Sequence, residues 1–293
     1  MPQWIFGYAR YVFLSNGRIA CIVDKNGFEH VVVLDTLLNK QDTLLLPYSV
    51  FGSIRSDGAD TLFFAAGSGS KAAEAAALDL RNNKLRVLKR SLEVTIDAGY
   101  LSEPEAIEFP TSNGLTAFAL FYAPKNKDFA AAAGAWPPLI VISHGGPTSA
   151  TTSGLRLSVQ YWTSRGFAVV DVNYGGSTGY GRAYRERLNG QWGVVDVDDC
   201  INAARYLEKR GDVDGKRMAI RGGSAGGYTT LCALVFHNVF AAGASYYGVA
   251  DLETLAHDTH KFESRYEDGL VGPYPEAADV YRSRSPVNLA GLI

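Results

Sequence analysis

The amino-acid sequence predicts an α/β protein that is built in two parts. Residues 1–98 contain short apolar or alternating runs separated by glycine-containing turns, which is typical of antiparallel β-sheet. From about residue 99 onward, strand-like and helix-like runs alternate, which is typical of a mostly parallel sheet covered by helices. We therefore predict a β-rich region at 1–98 and an α/β region at 99–293.

The β-rich region contains a weak internal repeat. Residues 19–22 are echoed by residues 62–65, and residues 33–35 by residues 77–79, at offsets of 43 and 44 residues. This period is about the length of one four-stranded propeller blade, so the region would hold about two blades. Two unrelated β-meanders are the alternative. The predicted strands are 11–14, 18–23, 30–34, 61–66 and 75–80.

The α/β region contains six strand-like runs and two helical patterns. An acidic cluster, Asp196, Asp198 and Asp199, begins the first helical pattern, where negative charge suits the helix dipole. The dipole explains the cluster without a metal ion. The predicted strands are 106–110, 116–122, 139–143, 167–172, 217–220 and 240–247, and the predicted helices are 196–209 and 225–237.

The composition excludes several classes of protein. The 293 residues are 47% hydrophobic and carry a net charge of −2, which argues against disorder and against a basic nucleic-acid-binding surface. No apolar run approaches the ~20 residues that span a bilayer, and the first ten residues lack the pattern of a signal peptide. The three cysteines, Cys21, Cys200 and Cys232, are too far apart for a CxxC metal site and suit reduced thiols in a cytoplasmic protein.

The segment Gly222-Gly223-Ser224-Ala225-Gly226 matches the pattern G-x-S-x-G between a predicted strand and a predicted helix. A serine on such a turn projects its hydroxyl above the sheet, and the flanking glycines let the strand and the helix approach closely. The helix N-terminus also favours negative charge at this point. We predict that Ser224 is a nucleophile, and a purely structural glycine-rich turn is the alternative.

A second glycine-containing segment, His144-Gly145-Gly146-Pro147, follows the predicted strand 139–143. In this architecture the loop supplies one backbone N–H to an oxyanion hole, and the residue after the nucleophile supplies the other. We predict Gly146 and Ala225 as these donors, with Gly145 as the alternative in the loop. His144 precedes the serine along the chain, so we expect it to pack and shape the loop rather than act as the base.

A third glycine-rich loop covers residues 173–181 and follows the predicted strand 167–172. It has neither the Gly-Lys-Ser/Thr ending of a P-loop nor a G-x-G-x-x-G opening a helix at the first strand–helix turn. We therefore expect it to border the active site rather than bind a nucleotide.

Together, these segments resemble the prolyl oligopeptidase family of serine peptidases, and most closely its acylaminoacyl peptidase and dipeptidyl aminopeptidase-like branch. The resemblance is strong over residues 100–293, and the first hundred residues resemble the last part of that family's β-propeller. Five short segments carry the resemblance: 161–162, 173–177, 192–193, 221–228 and 261–266.

The resemblance implies an α/β-hydrolase catalytic domain, incomplete at its C-terminus, that is preceded by the last blades of a β-propeller. It implies an acyl-enzyme on Ser224, hydrolysis of short peptides that pass the propeller, and no metal or organic cofactor. Tyr228 and Tyr266 would lie near the specificity pocket. A homodimer is also consistent with the family.

A serine nucleophile needs a histidine base and a carboxylate that orients it, and in this fold both follow the serine. The resemblance places both after two further strands, so we expect a fragment that lacks the acid and the base and is inactive alone. A propeller needs about four to eight blades, so we expect blades outside the sequence too. A substitute triad of Ser224, Asp251 and His257 or His260 is conceivable, but we expect Asp251 to cap a helix.

Two other functions remain open from the sequence. An esterase on the same fold would share the nucleophile, although simple esterases lack a propeller cap. A non-catalytic interaction homologue would explain the expected loss of the base, although the preserved Ser224 segment argues against it.

Overall fold

In the computed structural model, residues 6–93 and 95–292 are described. Residues 1–5, 94 and 293, which belong to the two predicted regions, lie outside the described residues. The described residues form two four-stranded sheets followed by one six-stranded sheet. The predicted change from β-rich to α/β structure is therefore confirmed.

The first two sheets have the same antiparallel order of four consecutive strands. Residues 19–22 and 62–65 both lie in the second strand of their sheet, so the weak repeat reflects a repeated structural unit. The strands of the first sheet are β1 (Tyr11–Phe13), β2 (Arg18–Lys25), β3 (Phe28–Asp35) and β4 (Lys40–Thr43). Those of the second are β5 (Val50–Ser56), β6 (Thr61–Gly67), β7 (Glu74–Asp79) and β8 (Lys84–Arg90).

The two small sheets share one apolar core. Ile22 and Val31 from the first sheet lie in the same buried cluster as Ile54 and Leu62 from the second. The rings of Phe51 and Phe64 meet edge to face with centroids 5.4 Å apart, an arrangement that aromatic pairs favour. Each sheet therefore buries its apolar face against the other.

The third sheet has the strand order β14-β13-β11-β12-β10-β9. Strands β11 to β14 run parallel, and β10 and β9 run antiparallel at one side. All six strands coincide with predicted runs to within a few residues. They are β9 (Glu105–Pro110), β10 (Thr116–Tyr122), β11 (Leu139–Ser143), β12 (Ala168–Asn173), β13 (Met218–Gly223) and β14 (Ala242–Tyr246).

Helices cover both faces of this sheet. Val141 and Val170 point to the main core, which also contains Leu207 from the longest helix. Ile140 and Val169 point to the other face, because side chains alternate along a strand. The helices are α1 (Leu157–Thr163), α2 (Arg182–Arg185), α3 (Val195–Arg210), α4 (Ala225–Phe236), α5 (Leu252–Asp258), α6 (Tyr266–Leu270) and α7 (Ala278–Ser283).

The first sheet contacts the second face of the third sheet. Phe28, at the start of β3, packs against the cluster that contains Leu120 and Val169. Ser153 donates a hydrogen bond of 2.9 Å to the carbonyl oxygen of Ser49. These contacts join the β-rich region directly to the α/β region.

None of the helices in residues 6–93 and 95–292 combines the length and the apolar character that a membrane span requires.

We expect Leu62→Ala to destabilise the two small sheets. Leu62 is completely buried between them, and removing a buried leucine side chain typically costs about 2–5 kcal/mol. Leu45→Ala is the matched control, because Leu45 is 98% exposed. Urea unfolding followed by circular dichroism should show a lower midpoint for Leu62→Ala only. Equal midpoints for the two variants would contradict the shared core.

Candidate active site

Ser224 lies on a sharp turn between β13 and α4. Its backbone has φ 55° and ψ −124°, a conformation that residues other than glycine rarely adopt. Its amide donates to the carbonyl oxygen of Tyr246, and its carbonyl oxygen accepts from the amide of Tyr228, both at 3.0 Å. The side chain is exposed to solvent. This is the geometry that the G-x-S-x-G pattern predicted.

The turn is possible because backbone atoms approach each other closely behind it. A β-carbon at Gly226 would lie 2.1 Å from the carbonyl oxygen of Ser143, at the end of β11. A β-carbon at Gly222 would lie 2.2 Å from the carbonyl oxygen of Gly226. No side chain can be accommodated at either position without moving β11 or α4.

The His144–Pro147 loop lies beside Ser224. A β-carbon at Gly145 would lie 3.5 Å from the β-carbon of Ser224. Gly146 has φ 133°, which favours glycine. Ala225 is the first residue of α4, where backbone N–H groups lack partners within the helix. Gly146 and Ala225 therefore remain the predicted oxyanion donors, and the loop that carries Gly146 adjoins the serine.

His144 is fixed in the loop through both ring nitrogens. Nδ1 lies 2.8 Å from the carbonyl oxygen of Gly145, and Nε2 lies 2.7 Å from Oγ of Ser177. The ring also stacks on Tyr174 with centroids 4.2 Å apart. Burial lowers the pKa of His144 below its ordinary value. The expectation that His144 packs within the loop is confirmed, and its effect on the shape of the loop stays a prediction.

The histidines after Ser224 lie elsewhere on the surface. His257 contacts the hydroxyl of Tyr274 at 3.3 Å, and His260 lies 3.6 Å from the carboxylate of Glu263. His237 follows the last residue of α4. Within the part of the chain that the structure describes, no hydrogen bond joins a histidine to Ser224.

Asp251 is the N-cap residue of α5, as expected. Its carboxylate accepts from the amides of Glu253 at 2.9 Å and of Thr254 at 3.3 Å. The substitute triad with His257 or His260 is therefore not assembled in this structure.

The two predicted pocket residues occupy different environments. Tyr228 is completely buried, and its hydroxyl donates to the carbonyl oxygen of Arg284 at 3.0 Å. Its ring packs against Trp192, so we correct the expectation for Tyr228 and assign it to the core. Tyr266 instead hydrogen bonds to Oγ1 of Thr148 at 2.5 Å, beside the His144–Pro147 loop.

Tyr247 lies next to the serine turn and was not among the residues that the sequence singled out. Its side chain is 86% exposed, and its hydroxyl would lie 2.9 Å from a β-carbon at Gly223. It also has a positive φ of 41°, which is rare for a large side chain. Its place directly after β14, beside the turn, was the signal that could have identified it.

The acidic cluster has a role beyond the helix dipole. Asp196 is buried and accepts from the amide of Gly193 at 2.7 Å. Asp199 is buried and accepts from the amide of Gly175 at 2.7 Å. Burial raises the pKa of both carboxyls to about 6. Each carboxyl therefore ties a surface loop to the N-terminal part of α3.

Outside residues 1–5, 94 and 293, no group of three or more His, Cys, Asp or Glu side chains could hold a metal ion.

We expect Asp199→Asn to change how stability depends on pH. The folded-state pKa of Asp199 is about 6 and its ordinary value is 3.8, so the folded protein binds a proton between these values that the unfolded chain releases. The associated stability is present below pH 4 and is lost as pH rises through 6. Relative to wild type, Asp199→Asn should therefore gain up to about 3 kcal/mol between pH 4 and pH 7.

The measurement is urea unfolding at both pH values. Asp279→Asn is the matched control, because that side chain is 99% exposed. A stability difference between Asp199→Asn and wild type that stays constant from pH 4 to pH 7 would overturn the expectation.

We expect Gly226→Ala to prevent normal packing behind Ser224. The added β-carbon would meet the carbonyl oxygen of Ser143 at 2.1 Å, so β11 and α4 would have to separate. Gly269→Ala in α6 is the control, because a β-carbon there meets nothing within 4 Å. The soluble yield and melting temperature of Gly226→Ala should fall sharply. A melting temperature equal to that of Gly269→Ala would refute the close approach.

Comparisons with known proteins agree with this architecture. Residues 153–290 match the prolyl oligopeptidase family. Dipeptidyl aminopeptidase BIII of Pseudoxanthomonas mexicana is 40% identical over 119 residues, which are 40% of this chain and 17% of that protein. The matched residues therefore span about a fifth of the length of such curated relatives.

Solved structures match almost the whole chain. The puromycin-hydrolysing peptidase of Mycobacterium tuberculosis is 42% identical with a TM-score of 0.95, over 99% of this chain and 45% of that one. A puromycin hydrolase variant in complex with PGG is 40% identical with a TM-score of 0.92, over 98% of this chain and 43% of that one.

The comparisons also settle the fold class. The third sheet and its helices form an α/β-hydrolase unit, and the first two sheets are blades of a β-propeller. Residues 153–290 are similar in sequence to the prolyl oligopeptidase family, and nearly the whole chain is similar in fold to the puromycin-hydrolysing peptidase.

Proposed function

We propose that this chain carries the nucleophile and the oxyanion hole of a serine peptidase that acts on short peptides. The observation that carries the proposal is the conformation of Ser224, which is exposed and held at φ 55° between β13 and α4. Strained residues of this kind persist where the surrounding structure holds them, and they concentrate at active sites. The family relationship supports hydrolysis rather than another use of the serine.

In the proposed reaction, Oγ of Ser224 attacks the carbonyl carbon of a peptide bond. The carbonyl oxygen gains negative charge, and the amides of Ala225 and Gly146 stabilise it by hydrogen bonds. A general base takes the hydroxyl proton of Ser224 and gives it to the nitrogen as the C–N bond breaks, so that the amine leaves and an acyl group remains on Ser224. Water then releases the acyl group. No cofactor takes part in these steps.

The substrate class is inferred from the relatives. One relative is named a dipeptidyl aminopeptidase, and a structural relative was solved with PGG. Tyr266 contacts the His144–Pro147 loop through Thr148, which supports a place for its ring near the bound peptide. We propose short peptides as substrates on these grounds.

We further propose that the 293 residues lack the acid and the base of the triad. The contacts of the described histidines support this, because both nitrogens of His144 are engaged and His257 and His260 contact other side chains. The chain alone would then be nearly inactive toward peptides. An esterase on the same fold is the alternative with the same nucleophile.

A non-catalytic interaction homologue is the second candidate function. The same histidine contacts favour it, because a serine without a base is a weak nucleophile. Against it stands the strained turn, which costs free energy and is of the kind that concentrates at active sites. The division into domains at 1–98 and 99–293, a cytoplasmic location and a homodimer stay predictions.

We expect Ser224 to be acylated by p-nitrophenyl acetate when imidazole replaces the base from solution. Without imidazole, acylation should be slow, and added imidazole should raise it at least tenfold. Ser224→Ala should abolish the acylated peptide in mass spectrometry. Ser283→Ala is the control, because that serine is exposed on α7.

Three outcomes separate the candidates. No acylation of the folded chain even with imidazole would favour the non-catalytic homologue. Rapid acylation without imidazole would show a working base within these residues and overturn the proposed loss. Where acylation occurs, turnover of a peptide amide or only of esters distinguishes the peptidase from the esterase.

A further inference from the structure

The peptide group between Gly145 and Gly146 contains both a predicted oxyanion donor and a hydrogen-bond acceptor for His144. Its N–H belongs to Gly146 and is the predicted oxyanion donor, and its carbonyl oxygen belongs to Gly145. Nδ1 of His144 lies 2.8 Å from this same carbonyl oxygen. His144 therefore contacts the group that would stabilise the reaction's charge, from its opposite side.

The hydrogen bonds define which nitrogen of His144 carries the proton. A carbonyl oxygen can only accept, so the 2.8 Å contact assigns the hydrogen to Nδ1, which donates to Gly145. The hydroxyl of Tyr174 lies farther from Nδ1, at 3.3 Å, and donates to the carbonyl oxygen of His144 at 2.9 Å. In the neutral ring Nε2 is then an acceptor, and the hydroxyl of Ser177, 2.7 Å away, donates to it. Ser177 is completely buried, which leaves its hydroxyl this well-placed acceptor.

The neutral form of the ring is also favoured by its surroundings. Burial lowers the pKa of His144, while the charged side chains that act on it, Asp171 and Arg156, have opposite effects. Tyr174 stacks on the ring and donates from its hydroxyl to the carbonyl oxygen of His144 at 2.9 Å. The ring is therefore held in place from two directions.

We propose that Ser177 and His144 act as positioning residues that fix the orientation of the Gly145–Gly146 peptide, and so aim the Gly146 amide at the oxyanion. In a planar trans peptide the C=O and N–H groups point in opposite directions, so holding one directs the other. Two consecutive glycines would otherwise let this peptide rotate freely. The inference rests on the proposed function of Ser224.

The loop at residues 173–181, which carries Ser177, is hydrogen bonded to the chain just after the His144–Pro147 loop. The amide of Thr178 donates to the carbonyl oxygen of Ser149 at 2.8 Å. The amide of Ser177 donates to the carbonyl oxygen of Tyr174 at 2.9 Å. Ser177 is therefore held at a fixed distance from His144.

The kinetic test compares variants of His144 in the imidazole-assisted acylation of Ser224. His144→Phe keeps a ring for stacking on Tyr174 but has no donor, and we expect a fall of about 100-fold, as for loss of one oxyanion donor. His144→Asn has a side-chain N–H near the position of Nδ1 and should recover at least tenfold of that loss. Ser177→Ala should lie between wild type and His144→Phe. His237→Phe, on an exposed histidine, should have no effect.

The kinetic result would overturn the proposal if His144→Phe and His144→Asn were equally impaired, or if both matched wild type at temperatures well below their melting points. A purely structural role would lower the melting temperature without making the asparagine variant faster than the phenylalanine variant.

Nitrogen-15 NMR tests the same inference without any activity. Wild type should show His144 protonated at Nδ1 and unprotonated at Nε2, and Ser177→Ala should mix the two tautomers. The Gly146 amide should give one sharp signal in wild type and a broadened or doubled signal in His144→Phe. Protonation at Nε2, or an unchanged Gly146 signal, would refute the positioning role. The expected spectra without any acylation of wild type would instead refute the proposed function alone.

Discussion

The close approach of the N-terminus of α4 to the end of β11 is the constraint on which the site depends. A β-carbon at Gly226 would lie 2.1 Å from the carbonyl oxygen of Ser143. Oγ of Ser143 donates a hydrogen bond of 2.8 Å to the carbonyl oxygen of Gly226. With the helix held there, the chain must turn sharply after β13, and Ser224 takes the strained conformation. The same approach brings the loop after β11 beside Ser224.

Two buried carboxyls extend this constraint to the loops around the site. The carboxylate of Asp199 accepts a hydrogen bond from the amide of Gly175. The carboxylate of Asp196 accepts hydrogen bonds from the amide of Gly193 and from the hydroxyl of Thr229 in α4. Burying these groups is unfavourable, which is why their pKa values rise to about 6, but the hydrogen bonds offset part of that cost. Because Gly175 lies two residues before Ser177, the carboxyl of Asp199 also helps to place the hydroxyl that His144 needs.

Much of this arrangement could be predicted from local sequence patterns, whereas the rest depends on contacts between residues that are far apart in the sequence. Apolar periodicity predicted every strand of the third sheet, whereas β4, β5 and β8 were missed. β4 and β8 are largely exposed and polar or charged, and a β-bulge between Phe51 and Ile54 interrupts the alternation of apolar residues in β5. The dipole argument placed Asp199 correctly at a helix start but could not show its contact with Thr111, which is 88 residues away. Tyr228 was assigned to the wrong environment because the pattern after Ser224 does not reveal which face of α4 packs inward.

The candidate site has two parts, and only one of them is assembled within the described residues. The proposed nucleophile and the predicted oxyanion donors lie at the ends of β11, β13 and α4, which pack together, whereas none of the described histidines is hydrogen bonded to Ser224. In serine hydrolases these parts contribute separately, because an oxyanion hole with bound substrate retains about 10³–10⁴-fold catalysis over water after a triad member is removed. A rigid nucleophile and oxyanion unit can therefore be formed correctly before a base is supplied. Its precision depends on the fixed backbone of the His144–Pro147 loop, and not on the proton acceptor.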